Sequence, residues 1–207
     1  MKTRGKPPKN TRLRRLGSEF LILAGVVIVS LAARSTLADH YYIPSESMEY
    51  SLLVGDRVMV DKTAYGLRIP FTDIKLLARA SPERGEIVIF DSPESGVRLI
   101  KRVVAVAGDT VEVHAGKLTI NGTRIESDTA ADLELFGERQ AALNMAGGGG
   151  PEMDPTVVPP GTVMVMGDNR GNSRDSRTFG FIPEGAIYGH AVRLYYRRGD
   201  GFVWKPI

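Results

Sequence analysis

Ser45 and Ser47 stand two apart in "PSESM" (Pro44–Met48), inside a stretch, Ile43–Leu52, with three serines, two glutamates and no histidine. A serine hydroxyl is a weak nucleophile and needs a base. The three histidines, His40, His114 and His190, are far apart in the chain. Without a well-placed histidine, the known alternative is a neutral lysine. A lysine serves only if its pKa falls from its ordinary value of about 10.4. Burial lowers it, because desolvation penalises the charged form. The base to look for is therefore a lysine inside an apolar strand.

Lys101 meets that description. It lies in "VRLIKRVVAVAGDTVEV" (Val97–Val113), a long β-branched run broken at Gly108–Asp109. Alternate residues of a strand share a face, so Leu99, Lys101, Val103 and Ala105 are expected on one side. Lys62, Lys75, Lys117 and Lys205 have more polar or turn-like neighbours. The pattern leaves two plainer readings open. "LIKRVV" also fits an edge strand whose lysine is a solvated gatekeeper. Ser47 also fits a loop serine that forms a turn or a cap.

A third stretch, "MGDNRGNSRDSRTFGFIPEG" (Met166–Gly185), gathers hydrogen-bonding residues just after an apolar strand. Asp168 and Asn172 occupy the first and fifth positions of a calcium loop, but Arg170 at the third and Phe179 at the twelfth defeat that pattern. Loops this long and charged are often functional.

The elements that must position these residues read as strands and turns. "DRVMVDK" (Asp56–Lys62) alternates, and "GEIVIFDSP" (Gly85–Pro93) is a strand ended by a turn. "KLTINGTRI" (Lys117–Ile125) reads as a hairpin around Asn121–Gly122. "GTVMVMGDN" (Gly161–Asn169) and "GHAVRLYYR" (Gly189–Arg197) complete a mainly β set. Glu126 to Pro160 is polar, with a short helix expected at Ala130–Leu143, then Gly147–Gly150 and four prolines. It reads as a mobile insertion at 126–160.

The 207 residues, 43% of them apolar, suit one folded domain plus appendages. There is no cysteine, hence no disulfide and no thiolate metal site. The three scattered histidines make a zinc site improbable. Seven cations precede the first acid, Glu19, so the net charge of +3 leaves −4 for the rest. The basic excess is a tail at 1–15 that runs straight into an apolar segment, which argues against a nucleic-acid binder.

Leu16–Ala33 is 18 residues with one charge, and its charge-free part, Phe20–Ala33, is 14. A spanning helix wants about 20 residues. The segment reaches that length by continuing past Arg34, whose side chain can snorkel, to Ala38, with Tyr41 and Tyr42 at interface depth. Composition alone balances this anchor, 16–38, against a cleavable secretory signal. Either way the tail stays in the cytoplasm and residues after about 40 are exported.

Five stretches in order resemble those of bacterial type I signal peptidases: "PSESM", "GDRVMVDK" (Gly55–Lys62), "RGEIVIF" (Arg84–Phe90), "IKRVVAVAGD" (Ile100–Asp109) and "GDNRGNSRDSRTFGFIP" (Gly167–Pro183). The resemblance covers nearly the whole chain after the tail and favours an anchor over a cleaved signal. It implies a compact β-barrel-like catalytic domain, 40–207, on a single N-terminal transmembrane helix. The family's members are membrane-bound serine endopeptidases that cut signal peptides from exported preproteins. The catalytic domain is then on the extracytoplasmic, periplasmic side of the bacterial inner membrane, and the lipid bilayer is a partner.

Carried over residue by residue, Ser47 resembles the nucleophile and Lys101 the general base. Ser45, with the Ser47 backbone N–H, resembles the oxyanion hole. Ser173 resembles the hydroxyl that orients the lysine amine, and Asp175 and Arg177 a supporting ion pair. Gly167 and Asp168 begin that same stretch. The family's substrates carry small residues at −3 and −1, and no metal or organic cofactor is implied. One departure stands out. The family usually reads S-x-S-M-x-P-T-L, and here it is "SESMEYSL", with Tyr50 for proline and Ser51 for threonine. Proline would stiffen this loop. Glu46 and Glu49, if ionised near Lys101, would hold its amine protonated. A narrow-client peptidase of the same chemistry and an inactive peptide-binding β-domain are the rival readings. A self-cleaving repressor would need a DNA-binding helical module, which the sequence does not show.

Overall fold

The computed structural model describes residues 18–28, 30–31, 37–68, 75–127 and 130–207. The basic tail lies outside them, as do Leu16, Gly17, Val29 and residues 32–36 of the expected anchor. Residues 18–28 are helical, and Phe20, Leu21, Ile22 and Leu23 are exposed. No helix among the described residues is long and apolar enough to cross a membrane.

The rest is strand and turn, as the alternation and β-branched runs require. In chain order the strands are β1 (Ala38–Tyr42), β2 (Arg57–Asp61), β3 (Gly66–Arg68), β4 (Lys75–Ala78), β5 (Ile87–Asp91) and β6 (Arg98–Val106). Then come β7 (Thr110–His114), β8 (Lys117–Ile120), β9 (Thr123–Arg124), β10 (Glu126–Ser127), β11 (Ala130–Phe136) and β12 (Arg139–Ala142). The last are β13 (Met153–Val157), β14 (Thr162–Met166), β15 (Ile182–Pro183), β16 (Ile187–Arg197) and β17 (Gly201–Pro206).

The main sheet has eight strands in the order β1-β2-β16-β5-β6-β14-β15, with β17 beside β16. Every pairing in it is antiparallel. The sheet is open, since no pairing among the described residues joins β1 to β15. The expected barrel is thus not a closed one. Its central strands are buried on both faces: Ile87, Val88, Ile89 and Phe90 of β5 are all at or below 1% exposure. That is why β5 reads as a continuous apolar run instead of an alternation. The Asn121–Gly122 hairpin forms as expected, with both residues at positive φ (52° and 77°), as a two-residue hairpin turn demands.

Two expectations change. First, β6 lies between β5 and β14, so it is not an edge and Lys101 is not a solvated gatekeeper. Its pairing with β14 slips between Met164 and Val165, so Val104 is the extra residue between Val103 and Ala105. As a result Leu99, Val103 and Val106 pack in one apolar cluster and Ala105 in another. A bulge breaks the period of two, and sequence periodicity cannot see it.

Second, Ala130–Leu143 is not a helix. It is the hairpin β11–β12, with Phe136 paired to Arg139 across Gly137–Glu138 and Gly137 at φ 65°. Its Ala, Leu and Glu content favours helix. The positive-φ glycine permits a tight turn instead, and burial of Phe136, Ala141 and Leu143 in the core favours the strands. Residues from the expected insertion are thus part of the core.

Candidate active site

Ser47 sits in a turn of 3-10 helix, Glu46–Met48, directly after β1. The turn is fixed from below by Ile43, Met48 and Leu52, all fully buried. The Leu52 N–H donates to the Met48 carbonyl at 2.8 Å, and the Ile43 N–H to the Asp56 carbonyl at 2.9 Å. Asp56 is tied in turn to Arg197 at 2.7 Å. A loop this well packed presents Ser47 at a defined place even without the proline that Tyr50 replaces. Tyr50 itself is 57% exposed, and its backbone bridges to Leu143.

Lys101 reaches Ser47 from the middle of β6. Its Nζ lies 2.6 Å from Ser47 Oγ. Lys101 is 2% exposed and Ser47 8%. Burial pushes the Lys101 amine down from 10.5 to about 8. The carboxylates of Asp175 and Asp168 oppose that fall, and the Arg177 guanidinium assists it. Glu46 and Glu49, which would hold the amine protonated if they stood ionised near it, are not among its principal charge neighbours. They are engaged by Asn172 at 3.3 Å and Asn144 at 3.0 Å.

Ser45 Oγ lies 3.4 Å from Ser47 Oγ, and Ser45 is exposed beside the buried nucleophile candidate. Gly167 packs against the Ser47 carbonyl so tightly that any Cβ there would collide with it and with the Ser173 hydroxyl. Ser173 donates to Asp175 Oδ2 at 2.7 Å, and no hydrogen bond joins it to Lys101. Asp175 also caps the helical turn Ser176–Phe179 and pairs with Arg177 at 2.7 Å, both side chains fully buried. Burial alone would push the Asp175 carboxyl up. Arg177, the Gly167 N–H and Ser173 outweigh it and hold the group below its ordinary value.

Several partners escaped the sequence reading. Arg102, next to Lys101, stands on the opposite face of β6 and grips Asp168 through two hydrogen bonds, 2.9 and 2.7 Å. It also donates to Gly85 O at 2.7 Å and to Ser51 Oγ at 3.1 Å. Ser51, where the family usually has threonine, thus keeps a hydroxyl for this contact. Arg170 and Glu134 form a second buried pair, at 2.8 and 2.5 Å. Glu134 lies on β11, in the stretch expected to be a helix, and no local pattern marks this acid as buried. The histidines stay apart, and no metal-binding group of three His, Asp or Glu gathers among the described residues.

The arrangement can move a proton from a buried hydroxyl to a buried amine, with the exposed Ser45 hydroxyl beside it. Residues 13–196 match the family model described as signal peptidase, peptidase S26. The chain is 32% identical over 202 residues, 94% of it, to the probable signal peptidase I-2 of Synechocystis sp., covering 78% of that protein. It is 34% identical over 195 residues to the signal peptidase I of Pseudomonas fluorescens, spanning 82% of this chain and 69% of the other. A crystal structure of a signal peptidase I from Enterococcus faecalis is 30% identical, with a TM-score of 0.39, over 55% of this chain and 98% of that one.

Proposed function

The chain belongs to the signal peptidase S26 family, and from that premise we propose that it removes signal peptides from exported preproteins by a Ser47–Lys101 dyad. The observation that carries the reading is the 2.6 Å approach of Lys101 Nζ to Ser47 Oγ, with the amine lowered to about 8 by burial. Near neutral pH a useful fraction of such an amine is uncharged and accepts a proton.

Lys101 takes the Ser47 proton as Oγ attacks the scissile carbonyl. The oxyanion that forms receives hydrogen bonds from the Ser47 N–H and the Ser45 hydroxyl. Lys101 then hands the proton to the leaving amine, an acyl-enzyme remains, and Lys101 activates the water that hydrolyses it. Asp175, Arg177 and Ser173 set the charge and shape behind the lysine. Substrates carry small residues at −3 and −1, selected by exclusion of larger side chains.

The apolar segment 16–38 anchors the chain in the bilayer, with the basic tail cytoplasmic and the β-domain outside. Exposed Phe20, Leu21, Ile22 and Leu23 support this, because so much apolar surface wants a non-aqueous neighbour.

The test is cleavage of a preprotein bearing an Ala-x-Ala site by the detergent-solubilised full chain, beside Ser47→Ala and Lys101→Ala. Cleavage at the expected bond by the wild type alone is the expected outcome. Equal cleavage by all three would reject the dyad.

A further inference from the structure

Arg170 and Glu134 are both about 1% exposed at their side chains. Glu134 comes from β11, a hairpin strand far in sequence from every residue of the proposed reaction. Arg170 does more than pair with it. Its Nε donates to Gly167 O at 3.2 Å and its NH1 to Gly116 O at 2.5 Å.

Gly167 to Asn169 is the segment that lies on the site. The Gly167 N–H donates to Asp175 at 3.0 Å, and the Asn169 N–H donates to Ser47 O at 3.1 Å. The same segment is stitched to the end of the β11–β12 hairpin. Asn144 N–H donates to Asp168 O at 2.9 Å, and Arg170 N–H to Asn144 O at 3.0 Å.

We propose that Glu134 is a positioning residue for Ser47 and Lys101, acting through Arg170 to hold the Gly167–Asn169 segment against the nucleophile and keep water from the lysine amine. The proposal rests on the Ser47–Lys101 reading above. A buried guanidinium stays where its carboxylate is, because an unpaired buried charge is costly. Apolar pairs of similar volume usually stabilise a core at least as well as a buried ion pair. What they lack is Arg170's grip on the Gly167 carbonyl, so geometry is the property this pair supplies.

The test uses the full chain with Glu134→Gln and with the double variant Glu134→Leu/Arg170→Met, which keeps the core filled. The Lys101 amine is titrated by NMR on 13C-labelled lysine, a readout independent of cleavage. In both variants its pKa should rise as water enters. With an Ala-x-Ala preprotein, kcat should fall on the order of ten- to a hundred-fold with KM unchanged, and the acid limb of kcat/KM should move to higher pH. A folded double variant with the wild-type amine titration overturns the proposal. So does failure of both variants to fold, which would make the pair a folding determinant only. A wild type that titrates as expected but does not cleave would instead count against the proposed function.

Discussion

Gly167 lies against Ser47 with no room for a side chain between them: a Cβ at 167 would meet the Ser47 carbonyl oxygen on one side and the Ser173 hydroxyl on the other. Ser47 is therefore held from above by the Met166–Gly185 segment as firmly as it is from below by Met48 and Leu52.

Gly167→Ala should for that reason lower cleavage by at least about ten-fold, since small displacements of reacting atoms are costly. One of the two clashes is with backbone, the Ser47 carbonyl oxygen, which cannot swing aside as the Ser173 hydroxyl can. Cleavage assay and thermal melt together check it. Wild-type rates from a folded Gly167→Ala protein would show that the contact is slack.

The Lys101 amine, lowered from 10.5 to about 8, sets the pH dependence. Only the neutral amine accepts a proton, so kcat/KM should rise with pH and level off above about 8. Folded Lys101 binds fewer protons than unfolded Lys101 between about 8 and 10.5, so stability rises with pH across that window. Below it the full penalty applies, on the order of 3 kcal/mol. Lys101→Met should thus raise Tm at pH 7 while abolishing cleavage. A lowered Tm would mean that the lysine's contacts outweigh its desolvation.

Asp175→Asn removes the carboxylate that most strongly supports the charged amine and leaves Arg177 unopposed. The acid limb of kcat/KM should move to lower pH. The unpaired buried Arg177 should cost about 3–5 kcal/mol of stability. The pH profile of the folded fraction and a denaturant melt measure the two effects separately.

Ser45→Ala should reduce kcat about a hundred- to a thousand-fold with little change in KM, as loss of one oxyanion donor does elsewhere. Ser45 is exposed, so Tm should stay within the small range of surface substitutions. A proportional loss of Tm would assign Ser45 to the loop's structure instead.

The sequence by itself determined the mainly β class, the Asn121–Gly122 hairpin and the candidates Ser47 and Lys101. Local rules suffice for the first two and for Lys101 as a candidate: a period of two, turn residues with positive φ, and a lysine among β-branched neighbours. Ser47 was picked out from Ser45 and Ser51 by the family resemblance. Only the tertiary structure decided the rest. Whether Lys101 was central or at an edge depended on which strands flank β6, and strand order is not written in any local pattern. The Val104 bulge moved Ala105 off the lysine's face, through pairing with β14. Ala130–Leu143 became strands because Phe136, Ala141 and Leu143 find a core there, and packing overrides a weak helical propensity. The charges that weigh most on Lys101 are Asp175, Asp168 and Arg177, more than sixty positions along the chain from it, and not Glu46 and Glu49 beside Ser47. Electrostatics follows distance and burial in space, and those exist only once the chain has folded.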